Sequence, residues 1–421
     1  MLLAILAVGV AFALLSRPYP AVYRYAGGVA LAGHLLFSVV VLPALPYEWD
    51  IALFHANALR VVAGSPTDPF SSVDAFATFQ ALAYVIFDAD TTVVSVLNGL
   101  FAVLTPLPAA AIARRLYPDI DRTDGLVLAL LFFPLPFLFA SLPMRDALST
   151  LLATVLLALV VRALDERDYW TAVTAVPLWA AVFLLREELA LLAVIAAVAG
   201  GSALAASRLT DGEVGLRALV PAAVPSGVVG LALFAAVLPV DALNRRLQYR
   251  ATGGAAYLEG MAYDSWLDVL LAAPIRAVYF QFAPFPLHVG SAFDALAIAS
   301  LPALVVVSVA AVGSLRETEA REVVAVAVGA FYLAGVVGYG LVDANFGTTV
   351  RHRSVFVFLL CVFAAPALEG WYRSLSRSIS RSPSRSLAAR IEAAGRRPPE
   401  DGEHEQEAQE LDSRTEVRGE H

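Results

Sequence analysis

From its first residue to about position 372 the chain strings together apolar stretches of roughly membrane-spanning length, separated by short polar breaks. A helix needs about 20 apolar residues to cross a bilayer. Backbone groups in lipid must be satisfied within a helix or around a closed barrel. The roughly ten-residue dyad alternation of a spanning barrel is missing, which leaves helices. Composition agrees: the chain is 59% hydrophobic and 16% charged, against roughly 25% charged in soluble domains. An ordinary soluble enzyme is excluded.

The expected fold is therefore all-α, a polytopic membrane helical bundle of about 11–13 transmembrane helices with an amphipathic helix in the first outer loop. The expected spans are 1–16, 22–42, 91–113, 125–142, 147–164, 169–185, 188–206, 217–238, 292–313, 323–341 and 354–369. Two further apolar pieces, 71–87 and 271–290, are shorter or broken by Pro274, Pro284 and Pro286, which suits interfacial or re-entrant segments. Residues 1–15 lack a basic leader and a cleavage site, so they read as an anchor helix.

Beyond residue 372 the composition changes to Ser/Arg repeats and then to an acidic end. This divides the chain into an integral membrane domain, 1–372, and a tail, 373–421, expected to be disordered. Residues 373–397 carry seven Arg against Glu392 alone, and basic charge directly after a last span places the C-terminus in the cytoplasm. The basic run also suits a clamp on anionic lipid, beside the simpler reading of a solvated tail. All 29 basic residues are Arg. The single cysteine, Cys361, excludes an intramolecular disulfide.

Counting back from a cytoplasmic tail puts loops 114–124, 163–168, 207–216 and 314–322 inside. Loops 43–90, 143–146, 186–187, 239–291 and 342–353 fall outside. The outer set holds nearly every cluster with chemical potential. The first outer loop carries Glu48 and Asp50 ahead of an amphipathic segment with Ile51, Phe54, Ala58 and Val62 on one stripe. Either carboxylate could serve as a general base to a hydroxyl, or both could simply cap the helix. Arg145-Asp146 and Arg186-Glu187-Glu188 stand at the outer ends of other spans. These suit a structural Arg–carboxylate network or bidentate capture of a phosphate. The last outer loop, Asp343 to Arg353, offers Asn345, Gly347, Thr348, Arg351 and Arg353, a set suited to a departing phosphate whose negative charge is growing. Region 239–291 holds Arg245, Arg246, Tyr249, Arg250, Tyr257, Tyr263 and Trp266, read as an interfacial aromatic belt.

Together these features resemble the GT-C membrane glycosyltransferases over roughly residues 43–200. The matching parts are an acidic residue in the first outer loop, an amphipathic helix running to Gly64-Ser65-Pro66, Ala113-Arg114-Arg115-Leu116-Tyr117, Ser141 to Leu148, and Leu184 to Glu188. The resemblance implies transfer of a sugar from a polyprenyl phosphate donor to a glycan, lipid or protein acceptor at the extracytoplasmic face. It also implies that the base is Asp50, with Glu48 as runner-up, because Glu-Trp-Asp stands where the family pattern has adjacent acids. Lipid-phosphate binding falls to Arg351, Arg353, Arg145 and Arg186, supported by Asp146, Glu187 and Asn345.

Other signals are weak. Asp88-Ala89-Asp90 matches a three-residue metal-nucleotide pattern, but Asp90 before a span reads more simply as an N-cap. His spacing gives no zinc motif, and no Walker or dinucleotide loop is present. No cofactor is expected, while a divalent metal stays open; no nucleic-acid partner is indicated. Two alternatives stand beside glycosyl transfer: a polymerase or ligase of surface polysaccharide, and a transporter or flippase of lipid-linked sugars.

Overall fold

In a computed structural model the chain is described over residues 1–44, 50–68, 70–209, 239–251 and 255–380, with single positions at 230, 232 and 236. The described residues are helical, joined by turns, and the single extended pairing among them is an isolated bridge between Ala256 and Asn345. The chain is a multi-pass helical membrane protein.

In chain order the helices are α1 (Leu2–Leu15), α2 (Ala21–Leu36), α3 (Ile51–Val62), α4 (Ser72–Ile86), α5 (Thr91–Leu104), α6 (Pro106–Leu116), α7 (Asp124–Phe132), α8 (Pro134–Ala140) and α9 (Asp146–Glu166). There follow α10 (Tyr169–Leu185), α11 (Glu187–Leu209), α12 (Val240–Arg250), α13 (Trp266–Phe282), α14 (Ala292–Glu317), α15 (Glu322–Val342), α16 (Phe346–His352), α17 (Ser354–Phe363) and α18 (Ala365–Ser380). Their starts are chemically marked. Asp90 accepts a hydrogen bond from the Thr92 amide at 2.8 Å and so caps α5. Ser265 and Asp268 form a reciprocal capping box on α13. Prolines open α6 and α8, where their missing N–H costs nothing.

Among the described residues six helices are long and apolar enough to cross a membrane: Ala21–Ala44, Thr91–Leu116, Asp146–Glu166, Glu187–Arg208, Ala292–Glu317 and Glu322–Val342. A seventh arises if α16 and α17, bent by 43°, count as one span. The expected count of about 11–13 is not reached on this measure, for local reasons. The 125–142 segment is broken between α7 and α8, where Phe133 takes an extended conformation before Pro134. Helices α1 and α10 have 14 and 17 residues. Segment 217–238 lies almost wholly outside the described residues.

Charges mark two ends. At one, Arg115 holds Asp165 at 3.0 Å and Glu166 at 2.6 Å, Arg321 pairs with the same Asp165, and the Arg321 amide donates to Leu116 O at 2.8 Å. Helix α9 then runs 21 residues, about 30 Å, to a second network around Asp146. Loops 114–124, 163–168 and 314–322 thus share one end, and loops 143–146, 186–187 and 342–353 share the other. Helices α4 and α13 stay at the second end. Phe76 and Tyr84 of α4 both pack with Phe54 and Leu185. Val269 of α13 packs on Leu341 and Val342, while Ala283 just past the helix packs on Tyr257 and Phe346.

The chain divides at Trp371/Tyr372 into a large and a short unit. Helix α18 continues to Ser380, so residues 373–380, expected to be disordered on composition, are helical. Leu368, Trp371, Tyr372, Leu375 and Ile379 keep a helical period that the interleaved Ser and Arg mask. The remainder of the tail, 381–421, lies outside the described residues.

Candidate functional site

The second end gathers side chains from five parts of the chain. Asp146 is the first residue of α9, where a carboxylate meets the positive end of the helix. Arg186 is the single residue between α10 and α11. It is buried, pairs with Asp146 through Nη2, and donates from Nη1 to His352 Nε2 at 2.8 Å. A guanidinium has no acceptor, so Nε2 is the bare nitrogen and the imidazole proton sits on Nδ1. Nδ1 then donates to Asp343 Oδ2 at 2.9 Å, and Asp343 also pairs with Arg250 at the end of α12. The result is a continuous line, Arg250–Asp343–His352–Arg186–Asp146, buried from Asp343 to Asp146.

Arg351 extends this line to the first loop. Its Nε lies 3.6 Å from Asp146 Oδ2, and its Nη1 donates to Asp50 Oδ2 at 3.2 Å. Asp50 precedes α3 and makes no side-chain cap bond to it. Its side chain is 53% exposed, in contrast to the buried line behind it. Glu48, the other candidate base, lies outside the described residues.

The remaining expected site residues are placed differently. Arg353 was expected to share a phosphate with Arg351, but it points the other way and is buried. Its Nη1 donates to Gln281 O at 2.6 Å and its Nη2 to Ala283 O at 2.8 Å. Arg351 lies within α16 and Arg353 at the bend between α16 and α17, and the turn sends them to opposite surroundings. Arg353 closes the C-terminal end of α13, whose carbonyls need donors. Arg145 donates to Leu185 O at 3.1 Å. Glu187 pairs with Arg246 at 3.3 Å. Asn345 caps α16, accepting from the Gly347 amide at 2.9 Å.

Three titrations reflect this packing. Burial would raise the Asp343 carboxyl, but His352 and Arg250 outweigh it and hold the group below its ordinary value. Burial lowers Arg145 to about 10, with the neighbouring Arg186 adding to the effect. Burial also works against Arg186, yet Asp146 and further acidic neighbours hold it above its ordinary value.

In the sequence Asp343 only opened the last outer loop, Arg250 fell in the aromatic belt, and His352 was not singled out. The signal was a His between two singled-out Arg residues, at the end of a short helix that follows an aspartate. Two buried neighbours complete the support. Tyr257 OH donates to Asp343 O at 2.9 Å and lies 2.8 Å from Thr349 Oγ1, and Arg276 donates to Asp343 O at 3.3 Å. Among the described residues no group of three His, Cys, Asp or Glu side chains could hold a metal ion. No known family, no curated protein and no solved structure matches the chain.

Proposed function

We propose that this protein is a membrane glycosyltransferase that moves a sugar from a polyprenyl phosphate donor to a hydroxyl of a glycan, lipid or protein acceptor. The observation that carries the reading is the meeting of Asp50 and Arg351, 301 positions apart, at the end of the bundle where Asp146, Arg186 and Glu187 also gather. A half-exposed carboxylate held by a guanidinium, backed by a buried charged line, is an arrangement for positioning a base at a membrane surface.

In this reading Asp50 takes the acceptor's proton as the acceptor oxygen bonds the anomeric carbon. The bond from that carbon to the donor phosphate breaks, and the electron pair leaves with the phosphate. Arg351 fixes the Asp50 carboxylate through Oδ2, which leaves Oδ1 to face the acceptor. Asp146 holds Arg351 from behind and is itself paired with Arg186. This end of the bundle is the extracytoplasmic one, and the opposite end, which carries Arg115 and Arg321, is cytoplasmic.

The test is an assay of the purified chain with a lipid-linked sugar donor. Asp50→Asn keeps the shape of the side chain but cannot accept a proton, so transfer falls by about 10²–10⁴-fold while donor binding survives. Normal turnover in this variant would remove Asp50 as the base. Movement of the lipid-linked sugar across the bilayer without any transfer would replace the enzyme by a transporter.

A further inference from the structure

Neither the charged line nor the Asp50–Arg351 contact uses helix α18. It follows α17 after Ala364, and its first turns belong to the large unit, where Glu369 accepts from the Gly125 amide at 3.0 Å. Further along, two kinds of residue recur at helical spacing. Trp371, Tyr372 and Leu375 lie three, four and seven positions after Leu368 and make one stripe with it. Arg373 and Arg377 stand one turn apart on the far side, with Ser374, Ser376 and Ser378 on the flanks.

Leu368 closes against the apolar core of the large unit. Beyond it the stripe turns outward: Trp371 is 48% and Leu375 62% exposed. Arg373 and Arg377 are exposed as well. Open apolar side chains gain nothing in water, and a guanidinium is costly in hydrocarbon. The boundary between headgroups and acyl chains suits both, with the apolar face toward the chains and the Arg face among the headgroups. Trp and Tyr concentrate at that same level.

The sign of the partner follows from the run that α18 begins. From Gly370 to Ile391 the chain has five Arg and no Asp or Glu, and Arg recurs at 373, 377, 381 and 385. An Arg-rich segment directly after an apolar span is drawn to negatively charged headgroups. The chain also carries a competitor of its own, since residues 398–421 hold nine Asp and Glu. That acidic end has only Leu411 and Val417 as larger apolar residues, so it matches the charge of α18 and not its stripe.

We propose that α18, from Trp371 onward, docks on an anionic phospholipid leaflet, with Trp371, Tyr372 and Leu375 at the acyl boundary and Arg373 and Arg377 among the phosphates. The contact uses none of the residues of the transfer site and holds whether or not the chain moves sugar.

The experiment uses the full chain in lipid nanodiscs, in a Cys361→Ala background with a single bimane-labelled cysteine. Ser376→Cys reports on α18, and Glu319→Cys, in loop 314–322, is the reference. The discs contain phosphatidylcholine bearing a headgroup nitroxide, with or without phosphatidylglycerol. Phosphatidylglycerol should raise nitroxide quenching of the Ser376→Cys label and leave the reference unchanged, and high salt should reverse the rise. Arg373→Gln and Arg377→Gln should each lower the ratio of docked to free helix about fivefold, the effect of one Arg near an anionic surface. Arg373→Lys and Arg377→Lys keep the charge and should keep the quenching. Leu375→Ser should weaken quenching at unchanged charge. All three side chains are exposed, and an unchanged melting temperature shows that folding is intact.

Equal quenching with and without phosphatidylglycerol would leave no role for lipid charge and overturn the proposal. Wild-type quenching in the doubly substituted Arg373→Gln/Arg377→Gln chain would do the same. A response to phosphatidylglycerol that emerges only once residues 398–421 are deleted would make the acidic end, and not the leaflet, the partner of α18 in the full chain.

Discussion

His352, the last residue of α16, donates from Nδ1 to Asp343, which follows the end of α15, across 2.9 Å. The short connection from α15 to α16 folds the aspartate back over the helix that carries the histidine. Asp343 is fully buried and faces both His352 and Arg250. Removing its charge strands two cationic or polar partners in a dry site. Asp343→Asn should therefore cost about 3–5 kcal/mol of stability. Thermal unfolding in detergent measures it, and a loss under about 1 kcal/mol would show the line to be solvated.

The same carboxylate predicts an acid limb. Its value in the folded chain lies below the ordinary one, so the stabilisation it gives is complete above about pH 4, the unfolded value. It is lost as pH falls through the folded value. The melting temperature should be flat from neutrality to about pH 5 and drop below pH 4. In Asp343→Asn that drop should be shallower, and identical acid limbs in the two proteins would assign it to other carboxylates.

Arg351 and Arg353 should respond oppositely to the same substitution. Arg353 satisfies two carbonyls from a buried position, and lysine cannot reproduce that fork. Arg353→Lys should lower folded yield and melting temperature, by about 3 kcal/mol if both bonds are lost. Arg351→Lys should leave the yield near normal and reduce sugar transfer. Equal yield and equal activity losses in the two variants would undo the division drawn between them.

The helical bundle and the two-ended distribution of charge could be read along the chain, because apolar run length and Arg/Asp/Glu placement are local properties. Residues 71–87 and 271–290 stood out for their length and their prolines. What could not be read was pairing. Arg353 and Arg351 look equivalent in the sequence, and only the bend at Arg353 separates one from the other. Arg250 looked like part of an aromatic belt, since nothing local announces that Asp343, 93 positions on, will meet it. The break at Phe133 was signalled by Pro134, but apolarity on both sides hid it.

Sidedness has its own measurement. In a Cys361→Ala background, single cysteines at Ser65 and Glu319 fall at opposite ends of the bundle, and Cys361 itself is buried. With an impermeant maleimide on intact cells, Ser65→Cys should label and Glu319→Cys should label only after permeabilisation. The reverse pattern would put Asp50 and Arg351 in the cytoplasm and exclude an extracytoplasmic transferase.

The pairing of Asp50 with Arg351 can be tested apart from the role of either residue. If Arg351 acts by holding the base, losing the holder and losing the base are not independent events. Asp50→Asn alone should reduce transfer by about 10²–10⁴-fold, and Arg351→Gln alone by less, since the carboxylate survives in a looser position. The double variant should then be no worse than Asp50→Asn, because nothing remains for Arg351 to position. Independent contributions would instead multiply, as they do for separated sites. Stability offers a second readout from the same four proteins. The 3.2 Å contact is half-exposed on the Asp50 side, so its coupling energy should not exceed about 1 kcal/mol. Large coupling in turnover with small coupling in stability is the signature of a positioning pair. Multiplicative losses in turnover would mean that Arg351 touches the substrate itself, and the charged line behind it would then support a ligand contact and not a base.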